Sequence, residues 1–201
     1  MNSNYLYEYT NLFERVLSTA YQYKYHLVAL ERNISYSSFF QSIERNNIVA
    51  PYIDEPSLLK QVFPDLDINA VDVKTYNQCM WAAEAYIHIQ NEFGFTFELI
   101  FLYIPIKKMY QYFDLYHEMD FSQIIEEFKR LFIKNSVLSI LIDNYGYSVK
   151  NISEISKISY ETISSLKQRK RDIKKANVES IVILSSILHV RIETLSEISF
   201  K

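Results

Sequence analysis

Apolar residues recur along most of this chain at three- and four-residue intervals, the spacing of helices that bury one face. From Tyr5 to Glu31, the positions Leu12, Val16, Leu17, Ala20, Tyr23, Leu27 and Leu30 keep that spacing and predict one long helix. The stretch "SSFFQSIER" predicts a short second helix. Pro56 opens a third in "PSLLKQVF", where a first-turn proline lacks only an N–H that would have no helical partner anyway. Residues 65–72, "DLDINAVD", read as a polar connection. A strong helix follows from Val73 to Phe93, with Tyr76, Met80, Ala83 and Ile87 on one stripe and Gly94 placed as its C-terminal cap. "FTFELIFLYIPI" has the aromatic and β-branched content of a strand, but Thr96 as N-cap and Pro105 as terminator favour a short buried helix. Helices over 107–116 and 121–134 complete this part. From Ser136 onward the pattern shortens to five helical segments: "SVLSILIDNY", ending at Gly146, then "SVKNISEISK", "SYETISSLKQR", "NVESIVILSSILH" and "RIETLSEI".

Composition supports the same class. Gly94 and Gly146 are the only glycines, and Pro51, Pro56 and Pro64 cluster, so long stretches carry no helix breaker. The expected fold is all-α: an N-terminal helical domain over 1–134 and a C-terminal one over 135–201. The longest apolar run, Leu99 to Ile106, is far short of the about 20 residues that cross a bilayer, which predicts no membrane partner. The start "MNSNYLYEYT" lacks the features of an export signal, and the single cysteine, Cys79, has no partner for an internal disulfide. Together they predict a cytoplasmic protein with Cys79 as a buried thiol.

Seventeen Tyr and thirteen Phe against two Gly leave two readings, a stacking platform for bases or large core-facing rings. The core reading is favoured. Charge divides the chain more sharply. Residues 1–130 hold 10 Lys and Arg against 17 Asp and Glu, whereas residues 131–201 hold 11 against 7. An acidic body is joined to a basic C-terminal third, and only the latter suits a polyanion.

Within that third, Ser148 opens a helix, Ile152-Ser153 form an apolar–small pair, Ile158-Ser159 end a turn, Thr162-Ile163 follow, and "LHVRIETL" closes the segment. In order and spacing, residues 136–198 resemble the lambda-repressor-like, or Xre-family, helix-turn-helix domain, over about a third of the chain. The resemblance implies a five-helix DNA-binding unit whose second helix crosses the phosphate backbone while the third enters the major groove. Helical period then turns Ile163 and Leu166 to the core and Tyr160, Glu161, Ser164 and Ser165 outward, and the resemblance implies that these four form the base-contacting set. Glu161 suits a cytosine amino group, and Tyr160 a base edge or thymine methyl. The phosphate-contacting set is Ser148, Lys150, Lys167, Gln168, Arg169, Lys170, Arg171, Lys174 and Lys175, in which Asp172 is the single interrupting acid of the basic run. Double-stranded DNA is the implied partner and a homodimer the implied state, since one recognition helix reads too few base pairs.

The segment also departs from that family. Val149 stands where the family has Gln, Ser153 where it has a small apolar residue, and Gln168-Arg169 where it has Asn-Gly. Lys157 replaces the turn glycine, which predicts a non-glycine residue at positive φ. These departures motivate an alternative: a protein-interaction module, of antitoxin or anti-defence type, in which the helix-turn-helix survives as scaffold. Under either reading, residues 1–134 form a sensor, dimerisation or partner domain.

Catalytic chemistry is sparse. Glu84 and His88 lie four apart, and "YHEMD" supplies His117, Glu118 and Asp120, a set that could ligate a metal only if the fold gathered it. Helix-surface polar pairs are the simpler reading. No Gly-rich phosphate loop or nucleophile elbow is present. The expectation is a non-enzyme with no cofactor and no metal.

Overall fold

A computed structural model describes residues 3–45, 53–66 and 73–201, with side chains from residue 7 onward. Every regular element among them is helical: α1 (Ser3–Gln22), α2 (Leu27–Tyr36), α3 (Ser38–Glu44), α4 (Glu55–Val62), α5 (Asn77–Phe93), α6 (Phe97–Tyr103), α7 (Ile106–Tyr116), α8 (Ser122–Lys134), α9 (Val137–Asn144), α10 (Val149–Ser156), α11 (Tyr160–Lys167), α12 (Val178–Ile187) and α13 (Ile192–Leu195). The all-α class is therefore as expected. Most of the polar connection expected at 65–72 lies outside the described residues. By contacts the chain divides into two compact units, Met1–Phe128 with Phe200–Lys201, and Lys129–Ser199, so the division falls inside α8.

In unit 1, α1 packs along α5, and α2 packs on α6, α3 and α4. The single helix expected from Tyr5 to Glu31 is instead two. The chain leaves α1 through Lys24 in the left-handed region (φ 51°), and Lys24 and Tyr25 return their amides to the Tyr21 and Ala20 carbonyls. This is the glycine-type helix ending without glycine, so no breaker marks it in the sequence. The ambiguous segment 95–106 is helical as its caps predict, with the Thr96 hydroxyl accepting from Leu99 N. Two carboxylates add caps from elsewhere in the chain. Buried Glu44 accepts from Phe97 N at 2.6 Å, and Glu31 accepts from Ile106 N at 2.7 Å, satisfying free N–H groups at the starts of α6 and α7. Burial pushes the Glu31 carboxyl up to about 7, partly offset by the Ile106 hydrogen bond.

The aromatic residues are mainly core. Phe13, Phe40, Tyr86 and Phe97 are fully buried and meet edge-to-face or stacked, with centroids 4.8–5.8 Å apart around Phe13. In unit 2 the only aromatic residues are Phe132, Tyr145, Tyr147 and Tyr160, so its core is aliphatic, built on residues such as Leu138, Ile142, Ile152, Ile163, Leu184 and Leu195. Cys79 is a fully buried free thiol. No helix of the described residues is long and apolar enough to cross a membrane.

Candidate nucleic-acid interface

The candidate site is built on α10, α11 and the loop that follows. Ser148 caps α10 in a reciprocal box, accepting from Asn151 N at 3.0 Å while the Asn151 side chain accepts from Ser148 N at 3.0 Å. The Ser159 hydroxyl accepts from Thr162 N at 3.2 Å and caps α11. Between them Lys157 takes φ 60°, as its replacement of a turn glycine predicts. Two serines hold this turn: Ser153 Oγ donates to Ile158 O at 2.7 Å, and Ile158 N donates to Ser156 Oγ at 3.2 Å. Ser153 thus has a structural role where a small apolar residue was the family pattern. The α12–α13 turn repeats the device, with Ser185 Oγ donating to Val190 O at 2.8 Å beside His189 at φ 48°.

A left-handed non-glycine residue carries roughly 1–2 kcal/mol of steric cost, of which glycine's greater unfolded-state freedom recovers part. Lys157→Gly is therefore expected to stabilise unit 2 by about 0.5–1 kcal/mol. Amide hydrogen exchange at Ile152 and Ile163, both fully buried, would measure it. Faster exchange in the variant would contradict strain at this turn.

On α11 the inward and outward faces are as the helical period requires. Ile163 and Leu166 are buried, and Tyr160 and Glu161 are exposed. Ser164 and Ser165 are only half-exposed, and Gln168 Nε2 reaches Ser164 Oγ at 3.3 Å. Lys150 is exposed and lies 3.9 Å from Glu154 one turn on. The basic run splits into two groups. Lys167 Nζ lies 2.8 Å from Asp143, and Arg169 is bound to Glu197 at 2.9 Å. Lys170, Arg171, Lys174 and Lys175 are exposed and, among the described residues, have no salt-bridge partner.

The loop that carries these four cations is well anchored. Asp172, the lone acid of the run, accepts from Lys174 N at 3.0 Å and caps a 3-10 turn, Ile173–Lys175, while Ile173 is buried in the core. No protein-family model, curated protein or solved structure matches the chain. The interface must therefore be judged on its own geometry. It presents an exposed helix face next to an anchored loop whose four exposed cations have no salt bridge among the described residues, although Lys174 acts electrostatically on Glu197.

Sequence reasoning did not single out Glu197 or Ser153 as structural partners, nor Lys157 as an exposed cation beside α11. Lys157 borders a groove of about 380 Å³ together with Ile158, Thr162, Arg171, Asn177 and Ser180, and Glu179 is the acid among its lining residues. Of the candidate metal ligands, His88 comes within electrostatic reach of Asp120, but the set does not form a three-ligand site. His88 stacks on Phe121, His117 stacks on Phe113, and no group of three His, Cys, Asp or Glu among the described residues could hold an ion.

Proposed function

We propose that unit 2 is a helix-turn-helix module that binds double-stranded DNA. α11 would lie in the major groove, with Tyr160 and Glu161 toward base edges, and the Lys170–Lys175 loop would lie on the backbone. In this reading the protein is a cytoplasmic transcriptional regulator of the Xre type that acts as a homodimer, and unit 1 supplies the sensing, dimerisation or partner surface. The observation that carries it is the coincidence of an outward polar helix face with four exposed cations that have no salt-bridge partner among the described residues, on a loop pinned by Ile173 and Asp172. Phosphate neutralisation by such cations supplies most non-specific affinity and positions the reading helix.

Fluorescence anisotropy with a duplex pool should show submicromolar binding at low salt that weakens steeply as salt rises. Absence of binding at low salt by the intact protein would sink this reading. A second reading, an interaction module that inhibits or sequesters another protein, is favoured by the exposed apolar pair Val178 and Val182, one turn apart on α12. A stoichiometric protein partner that survives nuclease, with no duplex binding, would select it.

A further inference from the structure

Arg169 lies in the middle of the basic run, yet its guanidinium is engaged inside unit 2. It follows the last turn of α11 in the left-handed region (φ 54°), where Arg169 N returns to Leu166 O and Lys170 N to Ser165 O. From there Nη1 donates to Glu197 Oε2 at 3.1 Å and Nη2 to Glu197 Oε1 at 2.9 Å, a two-pronged pair. Nη2 also donates to Phe132 O and Asn135 O, both at 3.0 Å, and the guanidinium stacks over the Phe132 ring at 4.7 Å. These carbonyls lie at the C-terminal end of α8, where a cation is favoured by the helix dipole.

The partner is equally committed. Glu197 is 8% exposed and takes φ 51° just after α13, and its Oε1 also accepts from Val137 N at 3.4 Å. Burial pushes its carboxyl up from the ordinary value, and Arg169, the Val137 amide and Lys174 pull it back. One guanidinium and one carboxylate thus join the ends of four helices, α8, α9, α11 and α13. Ser136 Oγ, donating to Lys167 O at 2.7 Å, adds a tie on the same end of α11.

We propose that Arg169 and Glu197 are positioning residues that fix the orientation of α11 for DNA, and that Arg169 is not one of the phosphate contacts. The proposal rests on the DNA-binding reading and corrects the expectation that the whole basic run faces the backbone. An eight-residue helix has little stiffness of its own. A reading helix must nevertheless be held to a fraction of an ångström by the groups behind it. The two-pronged contact with Glu197 and the bonds to helix-end carbonyls supply that restraint at the C-terminal end. The N-terminal end is set by the Ser159 cap and the Ser153–Ser156 turn.

The test compares Arg169→Lys, Glu197→Ala and Lys170→Ala in the intact chain. Arg169→Lys keeps the charge and loses the planar fork, so a phosphate contact would survive it and the clamp would not. Glu197→Ala removes a negative charge, which by charge alone tightens DNA binding. The clamp predicts the opposite sign: both variants bind a selected duplex about tenfold more weakly, with the salt slope of the wild type retained. Lys170→Ala should instead lower the slope by about one. Tighter binding by Glu197→Ala, or unchanged affinity of Arg169→Lys, overturns the proposal. Amide exchange at Gln168, Arg169 and Lys170, measured without DNA, should quicken in the first two variants and not in Lys170→Ala; unchanged exchange also overturns it. That arm decides whether the pair restrains α11 even if the wild type binds no duplex, an outcome that would sink the DNA reading and the DNA-orienting role with it.

Discussion

Replacing Lys170, Arg171, Lys174 and Lys175 together with Ala is expected to weaken duplex binding by roughly three to four orders of magnitude at 0.1 M salt. The estimate follows from counterion release. Each phosphate neutralised contributes about 0.9 to the slope of log affinity against log salt, and so about 0.9 decades at 0.1 M. Four contacts then give between three and four units of slope. The expectation depends on these cations being available, which their exposure and their lack of salt-bridge partners among the described residues support. It also depends on the loop keeping its shape without them. The loop is anchored by buried Ile173 and by the Asp172 cap, neither of which is altered. Removing four like charges from one exposed loop should leave stability nearly unchanged, since surface substitutions of this kind usually fall within about 0.5 kcal/mol each. Anisotropy across a salt series checks the slope and circular dichroism checks the fold. A slope change below one in a folded variant would show that the loop does not lie on the backbone.

The comparison between Lys170 and Arg169 also shows where sequence reading stops. The basic run is plain in the letters, but the sorting of its members is not. Arg169 and Lys167 are committed to Glu197 and Asp143, at separations of 28 and 24 residues, beyond the reach of any local pattern. Capping, by contrast, is local, and the caps at Thr96, Ser148 and Ser159 follow from the residue types: each accepts from the amide three residues on, as does Ser136, which was not singled out. Helix endings were legible where proline or glycine marks them, at Pro105, which follows the C-cap of α6, and at Gly94 and Gly146, which take φ 65° and 67°. Lys24, Lys157, Arg169, His189 and Glu197 occupy the same backbone region without glycine. The break after α1 was therefore invisible, whereas the turn at Lys157 could be foreseen because a resemblance indicated what that position must do. Similarly, Glu31 and Glu44 look like surface acids in the sequence, and only the fold brings them to the starts of α7 and α6.

Phe13→Ala is expected to cost unit 1 about 3–5 kcal/mol, a large fraction of the 5–15 kcal/mol that typically holds a domain together. Phe13 is fully buried and lies against rings from three other helices: Phe40 of α3 at 4.8 Å, Tyr86 of α5 at 5.8 Å and Phe97 of α6 at 5.5 Å. Those rings cannot close the vacated space cheaply. Tyr86 is tied through its hydroxyl to Ile104 O at 2.8 Å, and Phe97 is held at the start of α6, where its own amide donates to Glu44. Loss of the ring therefore combines lost transfer energy with a cavity that persists. Trp81 is the single tryptophan, and it lies in unit 1 on α5, so its emission during urea unfolding reports that unit. The midpoint of the Trp81 signal should fall by roughly 2 M urea, taking a slope of about 2 kcal/mol/M for a unit of this size. Tyr7→Ala, at a position 70% exposed on α1, should leave the midpoint within about 0.5 kcal/mol of wild type. Equal effects of the two substitutions would mean that the ring cluster around Phe13 is not the core of the unit.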